Sequence, residues 1–233
     1  MRIALLSDIH ANLPALEAVV SQMASESIDT VLVAGDSVGY YFWPAECLDM
    51  LESVNAHCIR GNHEEMVARG AVDPEFLIHL DTAYGPGHRI AVEQLGPTRA
   101  TALAELPHPL EFSTQNGQVL LAHGTPTDLE QYAYPSLDDA DIEVLVPEGI
   151  RWVVLGHTHY PMIRQASRGD VINPGSVGQQ RNRILGAQWA VLDTEAESVN
   201  FHVTPYNVDA VVAECLIRAP ENEYLRNVLM RHA

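Results

Sequence analysis

The chain has 233 residues, with 31 acidic and 13 basic side chains and a formal net charge of −18 at pH 7. All the basic residues are arginines, because the sequence contains no lysine. Hydrophobic residues make up 47% and charged residues 19%, a balance typical of folded chains and not of disordered ones. Strong acidity without a basic stripe argues against long nucleic acids or anionic membranes as partners, but it is compatible with a small phosphate ester bound at a local site.

The N-terminus and the cysteines predict a cytoplasmic protein without membrane segments. The first apolar run is broken by Asp8 and is too short for a signal peptide. No stretch approaches the roughly 20 apolar residues that cross a bilayer. The three cysteines, Cys47, Cys58 and Cys215, form no CxxC pair. We therefore expect reduced thiols and neither a disulfide framework nor a zinc knuckle.

Strand and helix patterns alternate over the first 60 residues. Residues 2–7 form a buried apolar strand, and apolar residues recur at helical spacing after Pro14. A second buried strand is predicted at 28–34, a helix begins at Pro44, and a third strand is predicted at 55–60. This alternation predicts βαβ units and an α/β fold whose sheet begins parallel.

The rest of the chain is expected to complete a single domain over 1–233. Residues 64–112 predict several short helices, which we interpret as an insertion that covers the edge of the sheet. Strands return at 118–122 and 151–155, and the tail over 207–230 is predicted to be helical. The short alternating segments that follow residue 161 indicate antiparallel strands, at 162–166, 170–172, 188–193 and 198–203.

Five turns that follow predicted strands carry Asp, His or Asn side chains. They are Asp8-Ile9-His10, Gly35-Asp36, Gly61-Asn62-His63-Glu64, His123-Gly124 and Gly156-His157-Thr158-His159. The carboxyl ends of parallel strands share one edge of a sheet, so we expect these groups to converge on one rim. Each fragment alone is more often an ordinary turn or helix cap. The five together predict a metal site.

The residue types in these turns indicate which metals would bind. Imidazole and carboxylate ligands suit Mn²⁺, Fe, Zn²⁺, Co²⁺ or Ni²⁺, and the absence of thiolate argues against a closed structural zinc site. Two divalent ions held about 3.5–4 Å apart need such a mixed set, with one carboxylate shared between them. Such a pair lowers the pKa of a bound water and supplies hydroxide at neutral pH.

In order and spacing, the five turns resemble the motifs of the calcineurin-like metallophosphoesterase superfamily: DxH, GD, GNH[ED], an isolated histidine and GHxH. The segment 172–178 extends the likeness. The turn Gly35-Asp36-Ser37-Val38-Gly39-Tyr40 is most similar to the small bacterial and archaeal phosphodiesterase group. The resemblance implies a four-layer αββα sandwich of mixed sheets with a short helical insertion.

The resemblance also implies a role for each matched residue. It implies seven metal ligands: Asp8, His10 and His159 for one ion, Asn62, His123 and His157 for the other, and Asp36 bridging both. His63 matches the catalytic histidine, which contacts the phosphate and either stabilises charge or protonates the leaving oxygen. The implied cofactor is a pair of divalent ions, manganese first, with Fe, Zn, Ni or Co as alternatives.

Other residues near the motifs keep two interpretations. Glu64 is expected to orient its histidine neighbours, and Asp29 to lie in a surface turn. The aromatic run 40–43 either stacks on a nucleobase or phenyl ester, with Tyr40 as a substrate contact, or packs as a small core under the insertion, which we favour. Arg181 either clamps a phosphate oxygen or is a solvated loop charge.

These observations predict a dinuclear metal-dependent phosphodiesterase, in which a hydroxide between the metals attacks a small phosphate ester. A phosphomonoesterase or a dinucleoside-polyphosphate hydrolase is the alternative with the same chemistry. A nuclease acting on long DNA is disfavoured by the acidic charge. A non-catalytic scaffold on this fold, like the retromer subunit that resembles these enzymes, is disfavoured because His63 is present. The oligomeric state stays open.

Overall fold

The computed structural model describes residues 1–231, so the last two positions of the predicted domain over 1–233 lie outside the described residues. The strands within 1–231 are β1 Arg2–Leu6, β2 Thr30–Val33, β3 His57–Cys58, β4 Leu110–Thr114, β5 Gly117–Leu121, β6 Ile150–Val154, β7 Met162–Gln165, β8 Asp170–Asn173, β9 Ala187–Asp193 and β10 Ser198–Thr204. The α-helices are α1 Leu13–Met23, α2 Pro44–Ser53, α3 Asn62–Gly70, α4 Pro74–Tyr84, α5 Gly87–Ala102, α6 Asp139–Val144, α7 Val208–Arg218 and α8 Glu223–Met230.

The strands form two mixed sheets of five strands each. The first has the order β10-β9-β1-β2-β3, in which β1, β2 and β3 are parallel and β9 pairs antiparallel with both β1 and β10. The second has the order β4-β5-β6-β8-β7, with β5, β6 and β8 parallel and the two edge strands antiparallel. The predicted parallel start and the later antiparallel strands are both observed.

Alternating side chains along the strands build four layers. On β1, Ala4 and Leu6 pack against α1 and α2, whereas Ile3 and Leu5 face the second sheet. Val153 on β6 lies on the far face of that second sheet, in a cluster with residues of α6. Because successive residues of a strand point to opposite faces, each sheet buries both of its faces. The resulting order, helices, sheet, sheet, helix, is the αββα sandwich that the sequence predicted.

Two strands differ from the expectation. Strand β3 has two residues, not the six predicted at 55–60, because Asn55 adopts a left-handed backbone with φ of 51° and the chain turns there. Strand β4 was not predicted and begins at Leu110, inside the stretch 64–112 that we expected to be helical. It pairs antiparallel with β5 from Leu110 opposite Leu121 to Thr114 opposite Gly117. Strand β4 is therefore an edge strand of the second sheet.

Of the aromatic residues 40–43, Tyr41 and Phe42 lie in the hydrophobic core, whereas Tyr40 lies beside the predicted site. Tyr41 and Phe42 are fully buried and pack with apolar residues of α7 and α8, such as Val211 and Leu225. The favoured interpretation as a small core is therefore observed, although the C-terminal helices supply most of the partners. Tyr40 differs, because its ring lies 4.6 Å from the ring of His10.

The thiols and the helices bear on two further expectations. Cys47, Cys58 and Cys215 are all free, as predicted. Within residues 1–231, every helix falls short of the length and hydrophobicity that a bilayer-spanning helix needs. The cytoplasmic location stays a prediction.

Candidate metal centre

The structure brings the seven predicted ligands together at the carboxyl ends of parallel strands from both sheets. They follow β1 (Asp8, His10), β2 (Asp36), β3 (Asn62), β5 (His123) and β6 (His157, His159). All seven side chains are buried. Three overlapping groups of His and Asp ligand atoms, each within 4.8 Å of one another, lie in this region. The predicted convergence on one rim is therefore observed.

The backbone is strained at five of these seven positions. Asp8, His10, Asp36, His157 and His159 all have φ between 51° and 66°, in the left-handed region that non-glycine residues rarely adopt. Each such residue costs on the order of 1 kcal/mol or more, and these conformations persist where the surroundings hold them in place. One such restraint is the amide of His157, which donates to Asp8 Oδ1 at 3.1 Å. Clustered strain of this kind is typical of functional sites.

The first group of candidate ligands is Asp8, His10 and His159. In it, the unprotonated ring nitrogens of the two histidines face each other. The Nδ1 atom of His10 bonds to the carbonyl oxygen of Val38, and that of His159 bonds to the carbonyl oxygen of Gln179. A carbonyl can only accept, so both Nδ1 atoms carry the proton and both Nε2 atoms are left with lone pairs. These Nε2 atoms lie 3.2 Å apart, and Asp8 Oδ1 lies 3.3 Å from that of His159.

The second group repeats this arrangement. His123 donates from Nδ1 to a backbone carbonyl at the end of β2, at 2.7 Å. Its Nε2 then faces Asn62 Oδ1 at 3.0 Å and Asp36 Oδ2 at 3.2 Å. His157 is reversed, because its Nε2 donates to the carbonyl oxygen of Glu130 and its Nδ1 is the atom left free. Each histidine thus has one ring nitrogen fixed by the backbone and one available to a ligand.

Asp36 joins the two groups, because its Oδ2 also lies 3.8 Å from His10 Nε2. Lone pairs and carboxylate oxygens that converge in a buried site repel one another unless a positive charge lies among them. The donor atoms are oxygen and imidazole nitrogen, with no sulfur. Residues of this kind fit divalent cations such as Mn²⁺, Zn²⁺ or Ni²⁺.

The pKa values show the same accumulation of charge. Burial raises the pKa of Asp8 to about 7. Burial opposes a charge on His123, but the Asp36 and Asp8 carboxylates and the hydrogen bond to the Ala34 carbonyl together outweigh burial and raise the pKa of His123 to about 9. The negative charge beside Nε2 of His123 thus favours a positive charge at this position. Burial lowers the pKa of His10 to about 3, so this imidazole is neutral and its Nε2 lone pair is free.

His63 and Glu64 lie in the first turn of helix α3, which begins at Asn62. The amide of His63 donates to Asp36 Oδ1 at 2.9 Å, and its Nε2 lies 3.9 Å from Asp36 Oδ2. Glu64 differs from the expectation, because it contacts backbone amides and not the histidines. It accepts from the amides of Asp36, Ser37 and Gly61, at 2.7–2.8 Å. Its role is to hold the turn that carries Asp36.

Gly61 allows the two turns to approach each other. A Cβ atom at this position would lie 2.3 Å from Asp36 Oδ1 and 2.8 Å from the amide nitrogen of Asp36. A side chain here would therefore displace Asp36. The glycine of the GNH motif is required by this contact and not by an unusual backbone angle, since its φ is −110°.

A narrow pocket of 50 Å³ opens above these candidate ligands, and Tyr40 and Arg181 line it together with Tyr84 and Tyr132. Arg181 donates from Nη2 to Tyr40 Oη at 3.4 Å, and its buried Nε has no partner within residues 1–231. A partly buried guanidinium with a free donor does not fit the interpretation as a solvated loop charge.

The sequence did not indicate three residues that shape this site. His88 on α5 is fully buried, with its Nε2 2.9 Å from Nδ1 of His63. Tyr132 packs over His157, with ring centroids 4.2 Å apart, and Tyr84 packs against His63 at 5.5 Å. None of the three follows a strand, so the pattern that revealed the ligands could not reveal them.

Comparison with known proteins identifies the family. The model of the calcineurin-like phosphoesterase superfamily domain matches residues 1–197. The chain belongs to this superfamily. The calcineurin-like phosphoesterase resemblance is thereby confirmed, and the chain is a metal-dependent phosphoric ester hydrolase.

Three similar proteins extend this comparison over 88–100% of the chain. An uncharacterized protein of Methanocaldococcus jannaschii is 27% identical over 225 residues, which cover 88% of each chain. The structure of a metallophosphoesterase from Sphaerobacter thermophilus is 26% identical, covers 99% of each chain and has a TM-score of 0.80. A hypothetical protein from Pyrococcus horikoshii OT3 is 21% identical, covers 100% of this chain and 98% of its own, and shares the fold with a TM-score of 0.88.

Bound metal should stabilise this phosphoesterase. A ligand that binds only the folded state at 100 times its dissociation constant adds about 2.7 kcal/mol, which in a chain of this size raises Tm by roughly 5–10 °C. We expect Mn²⁺ to raise Tm by this amount and EDTA to reverse the rise, as measured by differential scanning fluorimetry. In His159→Ala, which removes one of the converging nitrogens, the rise should be smaller. A Tm that does not respond to Mn²⁺ or any other divalent ion contradicts the metal centre.

Proposed function

We propose that this calcineurin-like phosphoesterase is a dinuclear enzyme that hydrolyses small phosphate diesters. One observation carries the proposal: two groups of free donor atoms share the carboxylate of Asp36. The proposed ligands are Asp8, His10 and His159 for one ion, and Asn62, His123 and His157 for the other, with Asp36 between them. Manganese is the proposed metal, and the same donors also fit Fe, Zn, Ni or Co.

The ions, once bound, supply a hydroxide nucleophile at neutral pH and neutralise the charge of the phosphoryl oxygens. The chain's own residues hold the ester and handle its proton. Arg181 lines the pocket and offers its guanidinium to a phosphoryl oxygen, and the sequence has no lysine for this task. His63 reaches the site with Nε2, and burial lowers its pKa to about 3, so it acts as a neutral N–H donor toward the leaving oxygen.

The mouth of the site favours a small ester with an aromatic group. The pocket accepts a phosphoryl group but no bulk, and the rings of Tyr40, Tyr84 and Tyr132 surround it. Aromatic faces at an opening bind flat groups such as a nucleobase or an aryl ring. The net charge of −18 disfavours a long polyanion. The proposed substrates are therefore small aryl or nucleoside phosphodiesters.

Activity on matched esters tests this proposal. Metal-free protein, reconstituted with Mn²⁺, Ni²⁺, Co²⁺, Zn²⁺ or Mg²⁺, is assayed on bis-p-nitrophenyl phosphate and on p-nitrophenyl phosphate. We expect faster turnover of the diester with at least one metal. Faster turnover of the monoester would make the protein a phosphomonoesterase, and no turnover of any ester would favour a scaffold. Strongly salt-dependent binding of long DNA would support the nuclease alternative.

Loss of the Arg181 guanidinium should weaken substrate binding. Arg181→Gln keeps a polar side chain but removes the charge beside the pocket, and we expect KM for bis-p-nitrophenyl phosphate to rise roughly 10- to 100-fold. The matched control is Arg183→Gln, since Arg183 is exposed two residues further along the same loop. Steady-state kinetics at fixed metal content give the answer. An equal effect of both variants would remove Arg181 from the substrate site.

A further inference from the structure

A second histidine lies behind the proposed catalytic one. His88 is fully buried on α5, and its Nε2 lies 2.9 Å from Nδ1 of His63. The two rings are nearly parallel, with planes inclined by 15° and centroids 4.8 Å apart. His88 neither lines the pocket nor belongs to the groups of possible metal ligands. It contacts the site through its hydrogen bond with His63 and through the ring of Tyr84, whose centroid lies 5.3 Å from that of His88.

The surroundings of the two remaining ring nitrogens, Nδ1 of His88 and Nε2 of His63, indicate which ring donates this hydrogen bond. Between two neutral imidazoles, one ring nitrogen donates and the other accepts. If His63 donated from Nδ1, His88 would carry its own proton on Nδ1. That atom is buried and has no partner within residues 1–231. A buried N–H without an acceptor costs on the order of 1–3 kcal/mol.

The opposite direction is favoured at the other end of the pair. If His88 donates from Nε2, its Nδ1 is a buried acceptor without a partner, but His63 then turns an N–H and not a lone pair toward the Asp36 carboxylate, 3.9 Å away. Nδ1 of His63 then accepts, and the proton of His63 must lie on Nε2, the atom that faces Asp36 Oδ2. This is the tautomer that can give a hydrogen bond to a leaving oxygen.

Position 39, on the other side of His63, has no side chain that could donate a hydrogen bond to Nδ1. Gly39 has a φ of 104°, and a Cβ atom on it would lie 2.3 Å from Nδ1 of His63. No side chain can therefore approach Nδ1 from position 39. The donor to Nδ1 comes instead from His88 on helix α5.

We propose that His88 is a positioning residue that donates a hydrogen bond to Nδ1 of His63 and so directs the N–H of His63 toward the ester. This inference rests on the proposed function of His63 as the donor to the leaving oxygen. Its first part, the tautomer of His63, can be measured without any substrate.

The tautomer is read from ring nitrogens by NMR. Uniformly ¹⁵N-labelled protein, loaded with diamagnetic Zn²⁺, gives long-range ¹H–¹⁵N correlations that distinguish a protonated Nε2 from a protonated Nδ1. We expect His63 to be protonated on Nε2 in the wild type and in His88→Gln, whose amide can still donate. In His88→Leu the donor is gone, and we expect part of the signal to shift to the Nδ1-protonated form. A wild-type His63 protonated on Nδ1 would overturn the proposal, whatever the folding of the variants.

Leaving groups test the second part. With diesters of phenol and of p-nitrophenol, His88→Leu should lower kcat about 10-fold more for phenol, the poorer leaving group. The same change in a His63→Ala background should have no further effect, and His88→Gln should restore most of the activity. Equal losses for both esters, or a full loss in the His63→Ala background, would make His88 merely structural. If the wild type hydrolyses no ester, the proposed function fails, while the NMR result still decides the tautomer.

Discussion

Replacing Asp36 with asparagine should lower kcat on bis-p-nitrophenyl phosphate by about 1,000-fold or more and reduce the bound metal. Oδ2 of Asp36 lies 3.2 Å from His123 Nε2 and 3.8 Å from His10 Nε2, so one carboxylate serves both groups of donors. The asparagine side chain is nearly isosteric with aspartate but carries no charge. Its NH₂ group can donate to a histidine nitrogen whose lone pair would otherwise bind a cation.

The control for Asp36→Asn is Asp29→Asn. Asp29 is exposed and lies just before β2, the strand that Asp36 follows. It accepts a hydrogen bond from the amide of Arg2 at 2.8 Å, as expected for a surface turn. Metal content by elemental analysis and steady-state kinetics are compared for both variants. We expect the Asp29 variant to match the wild type. Normal turnover and metal content in Asp36→Asn would refute the shared-carboxylate mechanism.

Glu64→Gln should destabilise the fold by about 3 kcal/mol, even without metal. Glu64 is buried, and its two oxygens accept from the amides of Asp36, Ser37 and Gly61. Glutamine has one oxygen and one NH₂ group, so at least one backbone N–H would face another donor. The turn that carries Asp36 would lose its support, and we expect metal affinity to fall with stability.

Urea unfolding in EDTA measures this effect apart from metal binding. The control is the neighbouring Glu65→Gln, because Glu65 is half exposed and makes one ion pair with Arg60 at 3.0 Å. Exposed pairs of this kind contribute roughly 0.5 kcal/mol or less. Similar free energies of unfolding for the two variants would mean that the amide contacts of Glu64 contribute little.

The candidate metal ligands could be predicted because each follows a strand within two to five residues. Asp36 lies three residues after β2, directly after Gly35, and His157 lies three residues after β6, directly after Gly156. The hydrophobic runs reveal the strands, and parallel strands bring their carboxyl ends to one edge. Local sequence and one topological rule were therefore sufficient for this part of the site.

His88 and Tyr132 could not be predicted in this way. His88 meets His63 across 25 residues of sequence because α5 packs against α3, and Tyr132 reaches His157 from an irregular loop. These contacts depend on how helices and loops pack, and no period in the sequence encodes that packing. Strand β4 was missed for a related reason, since Leu110 follows directly on a helical, proline-punctuated stretch.

The free nitrogen of each histidine was likewise beyond the sequence. Three histidines donate from Nδ1 to backbone carbonyls and present Nε2, whereas His157 donates from Nε2 to the carbonyl oxygen of Glu130. The acceptors lie 20–89 residues away from the histidines they fix. Only the folded chain assigns the tautomers, and with them the nitrogen of each histidine that is available to a ligand.

Metal stoichiometry measured together with turnover tests the central claim most directly. Metal-free protein is titrated with Mn²⁺ in a calorimeter, and the same samples are assayed on bis-p-nitrophenyl phosphate. The shared position of Asp36 predicts two ions per chain and full turnover only when both are bound. A single ion per chain, or full turnover with one ion bound, would contradict the dinuclear account.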